Sequence, residues 1–129
     1  MIIDFHTHIF PEKIAAHAIS KLAAVVNLEP SINGCAEDLR ASMKKAGIDV
    51  SIVLPVVTDI KQFDSIIRFA AYINETYASE QEQRLLSLAG IHPGDPDYKS
   101  RLALLKREGF AGIKLHPNYQ NVEFNDIRM

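Results

Sequence analysis

Apolar and polar positions follow two alternating regimes along this chain. Short apolar, β-branched runs at 2–8, 48–57, 85–91 and 110–115 are separated by longer stretches whose apolar residues recur at helical spacing. After the first strand, Pro11 suits a first-turn helix position and Glu12 the positive end of the helix dipole. Ile14, Ala18, Ile19, Leu22, Ala23 and Val26 then form an apolar stripe, followed by a loop from Asn27 to Gly34. A second helix is predicted from Ala36 to Ala46, with Leu39 and Met43 on one face and Gly47 as its stop. The 48–57 run lacks clean alternation, which predicts a strand covered on both faces. Asp59 and Gln62 have capping-box spacing ahead of a helix bearing Phe63, Ile66, Ile67, Ala70, Ile73 and Tyr77. The 85–91 strand ends at His92-Pro93-Gly94, and Asp95-Pro96 is predicted to cap a helix carrying Leu102 and Leu105 and stopped by Gly109. The 110–115 strand ends at His116-Pro117, and 118–129 reads as polar turn.

The order β-α-β-α-β-α-β implies an α/β domain of parallel strands joined by right-handed crossovers. Composition narrows the partners. With 47% hydrophobic and 23% charged residues, the chain is an ordinary globular sequence, and no apolar run nears the roughly 20 residues of a membrane span. A net charge of −2 gives no electrostatic footprint for nucleic acid or an anionic membrane. The single Cys35 excludes an intramolecular disulfide framework and fits a reducing compartment. With a strand starting at Ile2, no basic n-region precedes it, so the expected location is the cytoplasm.

The chemistry lies in the histidines. His6 and His8 are two apart, so on a strand they share a face at a spacing of roughly 6–7 Å, two neutral nitrogen donors suited to zinc. Four of the five histidines, His6, His8, His92 and His116, fall where an apolar run ends. In a parallel α/β sheet all C-terminal strand ends lie on one side, where ligands bind, so these residues are predicted to share one rim. Lys114 and His116 are also two apart and should face the same way. A lysine there is costly to bury unless paired or modified.

Ile-Asp-Phe-His-Thr-His at 3–8, Gly-Ile-His-Pro at 90–93 and Gly-Ile-Lys-Leu-His-Pro at 112–117 together resemble the amidohydrolase superfamily of metal-dependent hydrolases. The similarity is greatest to its amidohydrolase-2 group, which includes metal-dependent decarboxylases. The resemblance implies a (β/α)₈ TIM-type barrel, of which residues 1–129 would be a single partial domain with about four of eight strands, since a full barrel runs to about 250 residues. It implies that His6 and His8 bind a divalent metal, usually zinc, with manganese as the alternative. Bound water would then ionise near pH 7 and attack a small-molecule substrate. Lys114 matches a strand-four position that in some branches is a carboxylated, metal-bridging lysine. In the mononuclear branch Lys114 or His116 would instead hold the substrate; the expected roles are His116 as the catalytic candidate and Lys114 as a substrate contact, with His92 as a second substrate-contact candidate by its place at a strand end. The other family ligands, histidines after strands five and six and an aspartate after strand eight, have no counterpart here. The half barrel is therefore expected to pair as a homo-oligomer or with a missing C-terminal half.

Three other functions compete: a decarboxylase on the same scaffold, a phosphoesterase of the polymerase-and-histidinol-phosphatase type, and a catalytically inert half barrel. The phosphoesterases also open with Asp-x-His-x-His, but the Lys-Leu-His-Pro segment does not suit them. Plainer roles are expected for other residues: His17 as a solvated helix histidine, Cys35 as a small hydrophobe, and Asp59 and Asp95 as helix caps. His92 is as well explained by packing in a His-Pro turn as by substrate contact. Asn118 and Tyr119 follow the fourth strand on the same side as the rim.

Overall fold

The computed structural model describes residues 1–26, 29–123 and 125–127, with the side chains at 22 and 24–26 outside that description. The side chains of the expected stripe positions Leu22 and Val26 therefore lie outside the description, as do loop residues Asn27 and Leu28 and Phe124, Arg128 and Met129 of the tail. In chain order the elements are β1 (Ile3–Thr7), α1 (Glu12–Val26), α2 (Ala36–Ala46), β2 (Val50–Val53), a 3₁₀ turn (Ile60–Gln62), α3 (Phe63–Tyr77), β3 (Arg84–Ser87), β4 (Ala89–Gly90), α4 (Tyr98–Arg107), β5 (Ile113–Lys114) and α5 (Pro117–Gln120). All strand pairs are parallel: β1–β2–β3 form one sheet and β4–β5 another. The chain is thus mixed α/β with parallel sheets, as the alternating pattern predicts. No described helix is long and apolar enough to cross a membrane.

Local chemistry accounts for several boundaries. Gly47 ends α2 in the left-handed region at φ 71°, donating its N–H back to Lys44 O and Met43 O. Asp59 and Gln62 form the reciprocal capping box their spacing predicts. Asp95 does something different from the expected cap. Its Oδ1 accepts the Asp97 N–H (2.9 Å), while buried Oδ2 lies 2.7 Å from Arg101 Nε, whose guanidinium stands 4.2 Å over the Phe63 ring. It anchors α4 through a buried ion pair, and Asp97 takes the cap position. The tail is corrected too, because Pro117–Gln120 is helical and Gln120 is buried.

β2 is buried along its whole length, as a strand covered on both faces should be. On its helix side Val53 joins Leu85, Ile9, Leu39, Met43, Ile73 and Tyr77, and Ala89 joins Phe63, Ile67 and Leu105. On its other side Val50, Ile52 and Leu54 pack with Leu88. Two expected core positions are exposed instead: Ile14 on α1, where Ala15 takes the buried position, and Leu102 on α4.

The single strand expected at 85–91 is interrupted at Leu88. The Asn74 side chain on α3 accepts the Ser87 N–H (2.7 Å) and donates to Ser87 O (3.0 Å). Those backbone groups are therefore withheld from a strand ladder. Pairing with β5 begins beyond the break, at Ala89 N–H to Gly112 O (3.0 Å). The chain thereby passes from one sheet to the other within two residues.

Candidate functional site

The site face is set by an irregularity in β1. Ile3 pairs with Val50 and Asp4 with Ser51, but Thr7 pairs with Val53, so three steps on β1 match two on β2. One extra residue in a strand reverses which side chains face which way. Ile3 shares the Val50–Ile52–Leu54 face before the bulge, and Thr7 shares the helix face with Val53 after it. His6 and His8 consequently lie on the Ile52–Leu54 face. Without the bulge they would point into the helical layer. Thr7 locks this register: its hydroxyl donates to Ile52 O (2.9 Å) and its own carbonyl accepts the Leu54 N–H (2.9 Å).

The His6 and His8 rings meet edge to face with centroids 5.0 Å apart, as their alternate spacing predicts. His8 Nδ1 lies 2.9 Å from Leu54 O. A carbonyl only accepts, so Nδ1 carries the proton and the Nε2 lone pair is left for a ligand. That backbone anchor is the usual outer support of a metal-binding histidine. Burial lowers the His8 pKa, opposed by the Leu54 bond and reinforced by His6, Lys114 and His116. Burial also lowers that of His116, with Lys114 and then His6 adding to it against a backbone hydrogen bond. His8 thus feels His6, Lys114 and His116, and His116 feels Lys114 and His6, although these residues come from opposite ends of the chain.

Lys114 is half-buried and pairs in register with Gly90. Space beside Gly90 is tight: a Cβ there would lie 3.0 Å from both Pro55 O and Val57 Cγ2. His116 is the N-cap of α5, its Nδ1 accepting the Tyr119 N–H (3.4 Å) and its ring 4.2 Å from that of Tyr119. His92 is turned to a local task, its Nδ1 accepting the Gly94 N–H (3.0 Å) in its own turn. His17 is exposed on α1.

Gln120 escaped the reading of the sequence. It is 4% exposed; its Oε1 accepts the His116 N–H (2.8 Å), and its Nε2 donates to Val57 O (2.9 Å) and Ile91 O (2.7 Å). One amide thus joins the chain just beyond β2, β4 and β5. The available signal was His-Pro-x-x-Gln, a helix start with proline at the first position and a side chain four residues on that can reach back.

His6 and His8 provide two imidazole donors, but among the described residues no group of three or more His, Cys, Asp or Glu side chains gathers to hold a metal ion. The donor chemistry and His8's anchored tautomer fit a divalent metal that takes its other ligands from water, substrate or further protein. No family model, no curated protein and no solved structure matches the chain.

Proposed function

We propose that the chain carries part of the active site of a metal-dependent hydrolase of the amidohydrolase type, acting on a small molecule through a metal-activated water. The observation that carries this reading is the anchored pair: two imidazoles 5.0 Å apart at a strand end, one with Nδ1 bound to Leu54 O so that Nε2 is free to coordinate. His6 and His8 would hold the metal, zinc by the match of donor type. When bound, it would lower the pKa of a coordinated water toward neutrality and polarise a substrate carbonyl. The lowered pKa of His8 favours this role, since only unprotonated imidazole coordinates. Lys114 and His116, whose charges both act on His8, would serve substrate oxygen atoms, and His92 follows β4 in sequence.

The reading includes a closed (β/α)₈ barrel. Four further parallel strands, from a second copy or from residues outside the chain, would close against the exposed Ile3 and Leu86, on the side that bears Val50, Ile52 and Leu54, and supply the missing ligands. The exposure of Ile3 on the β1 edge and of Leu86, in register with Ile52, supports an interface there.

Zinc titration of the 129-residue chain tests the site directly. His6→Ala and His8→Ala should each weaken zinc binding at least tenfold, while His17→Ala leaves it unchanged. Equal losses in all three, or no zinc binding by the parent chain, would defeat the metal assignment.

A further inference from the structure

Two neighbouring histidines are held in opposite protonation patterns by the backbone. At His8 the Nδ1 partner is a carbonyl, an obligate acceptor, so the proton sits on Nδ1. At His116 the Nδ1 partner is the Tyr119 amide, an obligate donor, so in the neutral ring Nδ1 is bare and the proton sits on Nε2. One ring therefore offers a lone pair at Nε2 and the other an N–H.

What keeps the His116 ring against the Tyr119 amide is the α5 turn, which the Gln120 side chain ties to the chain beyond β2 and β4. Its Oε1 takes the His116 N–H, and both hydrogens of its Nε2 are spent on carbonyls beyond β2 and β4 (Val57 and Ile91). Gln120 is buried and lies next to αL Asn121, whose N–H bonds to Pro117 O. Three satisfied hydrogen bonds to three separate backbone segments give this side chain no alternative pose.

We propose that Gln120 is a positioning residue: by tying the His116 backbone to the ends of the neighbouring strands, it holds the His116 ring as the Nε2–H tautomer, a hydrogen-bond donor rather than a base. His116 would then donate to a substrate oxygen beside Lys114 and would not accept a proton at Nε2. That service to a ligand rests on the site proposed above, whereas the tautomer and its dependence on Gln120 do not.

The test is long-range ¹H–¹⁵N NMR of the metal-free full chain at pH 8, reading the ring nitrogens of His116 and His8. The expected result is an unprotonated Nδ1 at His116 and a protonated Nδ1 at His8. In Gln120→Met the two His116 nitrogens should move toward a common, averaged shift while His8 keeps its pattern. A protonated Nδ1 at His116 in the parent chain, or a folded Gln120→Met with the parental His116 pattern, overturns the proposal. Should Gln120→Met fail to fold, hydrogen exchange in the parent chain decides. Slow exchange of the His116 amide and Gln120 side-chain protons supports the tie, and exchange at the rate of an unprotected coil refutes it. Because no metal is present, a negative zinc titration and a negative tautomer result remain separate findings.

Discussion

At the scale of single residues, the protonation of His8 and His116 links the site to stability. Both have pKa values lowered in the folded chain, chiefly by burial, and at His116 next by Lys114. The unfolded chain therefore binds more protons just below pH 6.5, and stability falls as pH drops through that value until the folded-state pKa values are passed. Urea unfolding should show lower stability at pH 5.5 than at pH 7.5, and His8→Gln should narrow the gap. An unchanged gap in His8→Gln would remove His8 from the linkage. Part of this residue chemistry was legible in the sequence, because alternate spacing on a strand is enough to pair His6 with His8. The anchor of each ring was not, since Leu54 O and the Tyr119 amide are backbone groups that any sequence carries.

At the scale of elements, strand existence and helix stops were legible because propensity, capping and glycine conformation are local properties. The Ala36–Ala46 helix with its Gly47 stop, and the Asp59–Gln62 box, follow from adjacent residues alone. The register of β1 and the break between β3 and β4 depend on partners far away in sequence: on Val50, Ser51 and Val53 for the first, and on α3 through Asn74 for the second. Tight packing where β4 meets β5 gives a prediction. Gly90→Ala drives a Cβ to 3.0 Å from the backbone oxygen of Pro55, so it should cost about 1–3 kcal/mol of stability by overpacking. Gly112→Ala, whose Cβ would meet Leu88 methyls at 3.6 and 3.8 Å, should be close to neutral by comparison. Similar losses from the two variants in denaturant unfolding would show that the space beside Pro55 is not what selects glycine.

At the scale of the whole molecule, the sheets leave apolar groups uncovered. Phe5 is 66% exposed on β1, and Ile2, Ile3 and Ile113 are exposed along the two outermost strands. Unpaired strand edges with apolar neighbours favour association. Light scattering should therefore find the chain paired or aggregating at micromolar concentration, and a stable monomer would count against the closed barrel. The amino-acid sequence by itself determined the α/β class, most element positions and the two-residue spacing of the rim candidates. Each of these depends on periodicity or on a neighbour within a few positions. Tertiary structure alone decided that His6 and His8 face away from the helices, that one expected strand divides between two sheets, and that Gln120 links three chain segments. Those outcomes arise from a bulge, an Asn74 side chain and carbonyls at Val57 and Ile91, whose meeting requires the folded chain.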